Sequence, residues 1–427
     1  MDSQCPPGKG ACDKDGYYRS TSSDGIHWVD DVVRMLTKPT HHPWFPALHP
    51  PAGQQCVNYM YQQAHNPVLA TSPPHSIGDV SSFVYDDHND SYYATIKMFF
   101  AVNTTANFTG IRRSVGVSAT KVSTRWPQPT LVLTADDIDD RAWGADTAAA
   151  KATNNRTELY GLSAFAYQSQ YIGLLWVAHF NGKIVREAAH ACPALDLFST
   201  SPCGPIHRLS LAVPLPHSGV DGCLQDGTID VELVSSRDGH SWRRADPAPH
   251  TGVRPKLIPR GPAAWDGMMV HTSTHPLMAA DGRTLQLFYQ GDSCSHHGGS
   301  CAGGKKAESA VGLATLRSMG WVSMAHSGGG SGSITTAAVA RPAAAAPELK
   351  VNFVAQAGGS LEVVLLDAAT GAAVDRSAPL TGDELEAAVV WQGGEATQEA
   401  PEEAAGGDVR IEFVLKGDVE LFAYLLQ

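Results

Sequence analysis

Ser235-Ser236-Arg237-Asp238-Gly239-His240-Ser241-Trp242 decides how this chain is interpreted, because a second copy, Ser22-Ser23-Asp24-Gly25-Ile26-His27-Trp28, stands far upstream. Each copy follows a strand-like run. Asp-Gly between two such runs is a strong hairpin signal, since Gly accepts the positive φ of a tight turn. We expect the Trp that follows each Gly to begin the return strand. A recurring hairpin of this kind predicts a radial array of small sheets.

Weaker copies of the same unit close at Trp126 and Trp321. Together with Trp28 and Trp242 they predict an all-β fold, namely a five-bladed β-propeller whose first blade is incomplete. Short, evenly spaced strands also fit a β-sandwich with unrelated hairpins, which is the alternative architecture.

The strand-like runs group into three predicted sheets. The first uses residues 80–85, 92–100 and 113–118, and the second uses 162–167, 171–177 and 229–235, with an insertion over 181–226. The third uses residues 268–271, 285–289 and 311–316. Each sheet has the order strand, turn, aromatic strand, loop and strand, which is typical of a propeller blade.

A change of composition marks the domain boundary. Residues 326–347 are rich in Ser, Gly, Ala and Pro and are predicted to be a flexible linker. Residues 1–325 would form the propeller. Residues 348–427 contain five alternating strand-like runs and are predicted to form an accessory β-sandwich.

Composition excludes several functional classes. The formal net charge of −12 argues against nucleic acid as a partner, because that role needs clustered Lys and Arg. No apolar run approaches the length of roughly 18 residues that a membrane span needs. The start of the chain lacks the basic and apolar regions of a signal peptide. It also enters a strand almost at once, so we expect the true N-terminus to lie upstream.

The eight cysteines lie in Gly/Pro-rich loop stretches without a Cys-x-x-Cys pair, which favours disulfides over a zinc ribbon or free thiols. Cys5 with Cys12 and Cys294 with Cys301 are spaced to close small loops. Four glycosylation sequons begin at Asn89, Asn103, Asn107 and Asn155. Both features predict a secreted or lumenal glycoprotein.

An acid precedes the first strand of each predicted sheet: Asp79, Glu158 and Asp266. In a propeller the first strand of every blade lines the axis, so these three carboxylates are expected to converge on one pocket. Glycoside hydrolysis needs a proton donor and a second carboxylate acting as base or nucleophile. The alternative is that they are ordinary turn or cap carboxylates.

Several stretches resemble five-bladed propeller proteins related to glycoside hydrolase families 32 and 43. The resemblance covers nearly the whole chain and is carried by the runs Asp79–Asp86, Glu158–Gly161, Ile229–Trp242, Trp265–Met269 and Gly312–Arg317. The Asn-Asp-Pro-Asn, Arg-Asp-Pro and Glu-Cys motifs of fructosidases are absent from the sequence, so fructosidase activity is not expected.

The resemblance implies roles for individual residues. Asp79 corresponds to the base or nucleophile and Glu158 to the general acid, while Asp230 or Asp266 corresponds to the third carboxylate. Trp265, beside Asp266, is expected to stack on a sugar, and His271 to bind it.

No cofactor is expected, and a structural cation, or a cation on the propeller axis, is the alternative. His residues with nearby carboxylates can ligate a metal, although loop histidines are mostly solvated. The histidines concerned, with Asp266 and Asp292 nearby, are His271, His275, His296 and His297.

These features predict a hydrolase that acts on glycosidic bonds of an oligo- or polysaccharide. A non-catalytic carbohydrate-binding propeller is the alternative, since a fold does not imply an activity. A protein-interaction propeller is the third possibility and predicts a flat or plugged axis in place of an acidic pocket.

Overall fold

The computed structural model describes the following residues: 16–17, 20–21, 29–30, 69–70, 76–87, 89–105, 108–123, 125–142, 155–181, 226–262, 265–296, 298, 300–304, 307–340, 348–393 and 407–426. The chain divides into two compact units. One comprises Met1–Pro276 with Leu287–Ala314, and the other comprises Leu277–Gln286 with Thr315–Gln427.

Strands account for nearly all of the regular structure up to residue 317. The elements are, in order, β1 (Gly16–Tyr17), β2 (Ser20–Thr21), β3 (Val29–Asp30), β4 (Leu69–Ala70), β5 (Ser76–Asp86), β6 (Ser91–Thr105), β7 (Phe108–Thr120), β8 (Thr130–Leu133), α1 (Asp137–Ala142), β9 (Arg156–Tyr167), β10 (Gln170–Asn181), β11 (Asp226–Ser236), β12 (Trp242–Arg244), β13 (Met269–Thr272), β14 (Leu277–Met278), β15 (Thr284–Asp292) and β16 (Ser309–Arg317). The all-β class predicted from the sequence is therefore confirmed.

The strands predicted for each of the three sheets pair with one another. Strands β5 to β8 form a four-stranded antiparallel sheet, and β9 to β12 form a second antiparallel succession. Strand β13 pairs with β15, and β15 pairs with β16. A parallel bridge between Ile229 and Met269 then joins β11 to β13, so the second and third groups belong to one eight-stranded sheet. The five-bladed arrangement is not confirmed.

The repeated hairpin is confirmed by its register. In the second copy β11 pairs with β12, with Ser236 opposite Trp242. In the first copy β2 pairs with β3, with Thr21 opposite Val29. The midpoint of each register falls on the Gly of the Asp-Gly pair, at position 239 in the second copy and at position 25 in the first. Each hairpin therefore encloses its own Asp-Gly. Trp28 and the rest of that first turn lie outside the described residues.

The turn of the second copy shows why Asp-Gly recurs. Gly239 has a φ of 74°, a conformation that residues with a Cβ rarely adopt. The Asp238 carboxylate accepts hydrogen bonds from the backbone N–H groups of His240 at 2.8 Å and Ser241 at 2.6 Å. These bonds lower the pKa of Asp238. The Trp242 indole N–H then donates to the Gly239 carbonyl at 3.0 Å, which fixes the closing ring.

The two weaker copies differ in outcome. The Trp126 indole N–H donates to the carbonyl of Ser123, three residues earlier, as Trp242 does in its own turn. Trp321 does not begin a return strand on β16. The next strand, β17 (Met324–His326), pairs with a C-terminal strand instead, so the prediction of a fourth unit at Trp321 is wrong.

The C-terminal part forms a β-sandwich. Beyond β17 its strands are β18 (Ser331–Thr335), β19 (Leu349–Ala355), β20 (Ser360–Asp367), β21 (Ala373–Arg376), β22 (Gly382–Ala388), β23 (Val409–Lys416) and β24 (Val419–Leu426). One sheet has the order β17-β24-β19-β22 and the other has β18-β23-β20-β21. Alternate apolar residues of both sheets, such as Phe353 and Phe413, share one core.

The predicted linker over 326–347 is wrong for its first part. Residues 331–335 form β18, which pairs with β23 from Ser331 opposite Lys416 to Thr335 opposite Glu412. The Ser-Gly-rich stretch thus supplies an edge strand to the sandwich. Its small residues indicate flexibility by composition, yet their backbone hydrogen bonds to β23 override that tendency.

Cys294 and Cys301 form a disulfide, which confirms the predicted small loop. The other six cysteines lie outside the described residues. Within the described ranges, no helix has the length and apolar composition needed to cross a membrane.

We predict that Gly239→Ala destabilises the first unit more than Gly252→Ala does. Both glycines have a positive φ, at 74° and 67°, so each alanine adds strain of roughly 1–2 kcal/mol. A Cβ on Gly239 would also lie 3.1 Å from the Tyr93 ring, whereas a Cβ on Gly252 meets nothing within 4 Å. Urea unfolding of both variants tests this. Equal losses would show that the Tyr93 contact does not matter.

Candidate functional site

A bulge in β9 places Tyr160 beside polar and aromatic side chains. Leu159 pairs with Val177 and Gly161 pairs with Trp176, so Tyr160 is the extra residue between them. Bulges re-aim a side chain and are frequent beside functional sites. Gly161 lets the strands approach here, because a Cβ would lie 2.7 Å from Val80 and 2.9 Å from the Trp176 ring.

Three charged or polar groups surround the half-buried Tyr160 ring. The Lys97 ammonium lies 4.2 Å from the ring centre, in cation–π geometry. The phenol oxygen lies 2.8 Å from Nε2 of His296, and the His271 ring centre lies 6.1 Å from that of Tyr160.

His271 connects this ring to a second aromatic and to a carboxylate. Its ring meets Trp176 edge to face at 5.0 Å, and the Trp176 indole N–H donates to Thr272 at 3.0 Å. Nδ1 of His271 lies 3.6 Å from a carboxylate oxygen of Asp292. We call the set Lys97, Tyr160, Trp176, His271, Asp292 and His296 the Tyr160 surface.

The Asp292 carboxylate is ionised at neutral pH. Burial raises its pKa, but the nearby His271 and the hydrogen bonds from Ser309 and Gln290 lower it more, and the net shift is downward. Asp292 therefore suits the role of a base, a nucleophile or a hydrogen-bond acceptor for a hydroxyl group.

Glu158 is a buried, doubly ion-paired carboxylate. Its oxygens lie 2.6 Å from Nη1 of Arg113 and 2.6 Å from Nε of Arg156. Burial alone would raise the pKa of Glu158, but the charges of Arg156 and Arg113 lower it to about 2. The predicted general acid would have to hold a proton at neutral pH, which this arrangement does not provide.

Glu158 nevertheless contributes to the Tyr160 surface through Arg113. The Arg113 guanidinium lies 5.4 Å from the ring centre of Tyr160 and 4.9 Å from that of Phe180. The carboxylate holds this guanidinium in place against two aromatic faces.

The backbone of Asp79 lies next to the same surface. Ile77 pairs with Met98 and Ser81 pairs with Ile96, so residues 78–80 stand opposite Lys97. The Lys97 ammonium in turn lies over Tyr160. The Asp79 side chain is outside the described residues, and its role as base or nucleophile stays a prediction.

Asp266 and Trp265 have different surroundings. Asp266 accepts a hydrogen bond from the Tyr289 hydroxyl at 3.1 Å, and the Trp265 ring stacks on Tyr289 at 5.6 Å. Burial, and then the bond to Asp266, raises the pKa of Tyr289. A Cβ on Gly291 would lie 2.4 Å from both Trp265 and Asp266, so the pair packs closely against that backbone. Tyr289 thus covers one face of the Trp265 ring, and stacking of Trp265 on a sugar stays a prediction.

Asp230 lies on the opposite face of the sheet. Strand residues alternate between faces, and Asp230 pairs across β10 with Val177, whose side chain belongs to the apolar core shared with Leu159. Asp230 lines a cavity of about 170 Å³ together with His179 and Arg260. Of the predicted residues, the structure thus brings Glu158, His271 and the Asp79 backbone together, while Asp230 lies on the opposite face of the sheet and Asp266 is paired with Tyr289.

Sequence reasoning missed Tyr160, Lys97 and Arg113. One signal was present for Tyr160, because a Gly inside a strand, here Gly161, often marks a bulge or a close approach. No sequence signal marks Lys97 or Arg113, because strand register places them beside Tyr160. As for a metal, the described ranges contain no group of three or more His, Cys, Asp or Glu side chains that could hold one. His297 is outside those ranges.

No family model and no curated protein matches the chain. Solved structures that match include an N-acetylgalactosamine deacetylase from F. plautii, with 12% identity, a TM-score of 0.32, and coverage of 59% of this chain and 52% of that one. A β-1,2-mannobiose phosphorylase from Listeria innocua has 13% identity, a TM-score of 0.29, and coverage of 70% and 48%. A glycosyl hydrolase from Bacteroides ovatus has 12% identity, a TM-score of 0.22, and coverage of 57% and 67%.

Several of these neighbours are thus glycoside hydrolases or phosphorylases by name. The chain spans about half the length of the first solved structures that it matches. Likeness at this level carries no argument about activity, and it does not confirm families 32 and 43.

We predict that Glu158→Gln lowers the free energy of unfolding by about 3–5 kcal/mol, because it leaves two buried guanidinium groups without their shared anion. The matched control is Glu362→Gln in the sandwich. Glu362 also pairs with two cations, Arg376 and Lys416, but those side chains are 52% and 50% exposed. Exposed pairs contribute about 0–1 kcal/mol. Chemical denaturation measures both, and similar losses would contradict the structural role of Glu158.

Proposed function

We propose that the chain is a glycosidase-like carbohydrate-active protein that binds a saccharide on the Tyr160 surface. The observation that carries the proposal is the combination of two half-buried aromatic rings, Tyr160 and Trp176, with the neighbouring His271–Asp292 pair. Aromatic rings supply apolar area for the C–H faces of a sugar, and a few fixed polar groups supply orientation.

The polar groups at this surface match the needs of hydroxyl groups. Asp292 is an acceptor, and the two ring nitrogens of a neutral His271 supply one donor and one acceptor. A sugar hydroxyl both donates and accepts. The His271–Asp292 pair therefore offers complementary partners beside the aromatic rings.

Hydrolysis of a glycosidic bond is the activity that we propose for this surface, with Asp79 as base or nucleophile. The position of the Asp79 backbone opposite Lys97 supports it. Glu158 would act indirectly, by holding Arg113 against Tyr160.

Non-catalytic saccharide binding is the second candidate, and one observation favours it. The two carboxylates described at or beside this surface, Glu158 and Asp292, both have a lowered pKa, so neither holds a proton for a leaving group at neutral pH. Hydrolysis by paired carboxyl groups needs such a proton.

We also propose an oxidising compartment, either secreted or lumenal. The Cys294–Cys301 disulfide supports this, because disulfides rarely persist in the cytosol. Asn89 is a poor acceptor for glycosylation, since its amide N–H₂ donates to Asp86 at 2.8 Å and to Tyr171 at 2.7 Å.

We predict that Tyr160→Ala abolishes saccharide binding, while Tyr160→Phe retains most of it, because Phe keeps the ring and loses only the hydroxyl. Affinity electrophoresis or calorimetry against a panel of oligosaccharides measures the change. Tyr85→Ala, at an exposed ring elsewhere on the first unit, is the control. Equal binding by Tyr160→Ala and the control variant would overturn the proposed binding surface.

We predict that Asp79→Asn abolishes turnover of aryl-glycosides and oligosaccharides and preserves saccharide binding, because it removes the charge and keeps the shape. Glu158→Gln should be compared at equal folded fraction, since its effect is expected through stability. Binding without turnover by the unaltered protein would establish the non-catalytic alternative.

A further inference from the structure

The cavity that contains Asp230 lies on the face of β10 and β11 turned away from the Tyr160 surface. It has a volume of about 170 Å³, room for several water molecules or a small polar ligand. Helix α1 contributes Ile138, Asp139 and Ala142 to its lining, and β11 contributes Asp230 and Glu232. Three cations, Arg254, Lys256 and Arg260, complete its charged lining.

The acceptor oxygens of this cavity are largely occupied. Both oxygens of Asp139 accept bonds from Arg244, and one of them also accepts a bond from Arg254. Glu232 accepts from Arg244 and Lys256 on separate oxygens. The Oδ1 atom of Asp230 accepts from the backbone and the Nε of Arg260, at 3.2 and 3.1 Å.

Hydrogen-bond donors, in contrast, are left over. The Nε–H of Arg260 donates to Asp230, and the two terminal amino groups of Arg260 have no acceptor in the described part of the chain. Arg254 is 8% exposed, and its buried Nε has no acceptor there. Lys256 carries three N–H groups and donates one bond, to Glu232 at 2.7 Å.

The charges of the groups around the cavity balance, so the surplus is one of donors and not of net charge. Asp136, which is 45% exposed, accepts two hydrogen bonds from Arg254. With it the groups comprise four carboxylates and four cations: Asp136, Asp139, Asp230, Glu232, Arg244, Arg254, Lys256 and Arg260. Burial, followed by the charge of Lys256, lowers the pKa of His179 to about 4, so its ring is neutral at pH 7.

We propose that this cavity is a binding site for a small oxyanion, held by the terminal amino groups of Arg260 and by Lys256. Arg260 is the more accessible of the two, since its side chain is 30% exposed against 19% for Lys256. The planar guanidinium suits the two oxygens of a carboxylate or phosphate. The Oδ2 atom of Asp230, 3.7 Å from His179, is the remaining acceptor for a hydroxyl on the same ligand.

The oxyanion could be the carboxylate of an acidic sugar or a free inorganic anion, and the test separates them. Calorimetry at constant ionic strength compares sodium D-glucuronate, sodium phosphate and D-glucose with the full chain. We expect at least one oxyanion to bind, and we expect the Tyr160→Ala variant, which lacks the saccharide surface, to bind that oxyanion and not glucose. Glucuronate alone would identify a sugar carboxylate, and phosphate alone would identify an inorganic anion.

Variants of the residues that line the cavity test whether the oxyanion binds there. Arg260→Gln and Lys256→Met should each weaken oxyanion binding about tenfold or more, because each removes a charge-assisted hydrogen bond. Arg243→Gln, at an exposed arginine on the neighbouring strand β12, should bind as the unaltered protein does. Tyr160→Ala should also leave oxyanion binding unchanged, which keeps this proposal separate from the saccharide surface.

Three results would overturn the proposal. They are the absence of oxyanion binding at millimolar concentrations, unchanged binding by Arg260→Gln and Lys256→Met, and equal binding of glucose and glucuronate by the Tyr160→Ala variant. Thermal unfolding of each variant, followed by circular dichroism, establishes that a loss of binding is not a loss of folding.

Discussion

Compensation of buried charge at the start of β9 is the constraint on which the first unit depends. Arg112, Arg113, Arg156, Glu158 and Asp140 are all at most 3% exposed. Arg112 bonds Asp140 at 2.7 Å and the Thr157 carbonyl at 3.1 Å, and Arg113 and Arg156 share Glu158. Removing Glu158 would leave two buried guanidinium groups without their shared anion, and removing Asp140 would take the ion-pair partner from Arg112; such losses cost several kcal/mol. Strands β7 and β9 and helix α1 are thereby held in one arrangement.

Both candidate sites depend on this arrangement through the alternation of β-strands. Glu158 and Phe180 turn to one face, where Arg113 supports Tyr160. Thr157 and His179 turn to the other, where Thr157 lies 3.3 Å from the His179 ring and α1 lines the polar cavity. Apolar side chains pack beside these polar groups on both faces: Leu159 and Val177 on the face of the cavity, and Ala178 and Ile229 on the other.

Local sequence signals predicted much of the fold. The Asp-Gly hairpins and their register, the strands of three sheets, the Cys294–Cys301 loop and the C-terminal sandwich are all short-range features. The number of blades and the join between β11 and β13 depend on long-range packing, for which the sequence carries no local pattern. The Ser-Gly stretch at 331–335 was misassigned for the same reason, since its strand structure comes from hydrogen bonds to β23, far along the chain.

The roles of the carboxylates show most clearly where sequence reasoning stops. In the sequence pattern Asp79, Glu158 and Asp266 each precede a strand-like run, which predicts convergence; in the structure Asp79 and Glu158 lie within β5 and β9, and only Asp266 precedes its strand. Chemical role, however, depends on partners that lie elsewhere in the chain: Arg113 is 45 residues from Glu158, and Tyr289 is 23 residues from Asp266. Two guanidinium groups make Glu158 a permanent anion, whereas a tyrosine hydroxyl leaves Asp266 paired with a neutral group. Residues at equivalent positions in the sequence pattern therefore differ in chemistry. The protonation state of each carboxylate depends on which partners the register of the neighbouring strands places beside it.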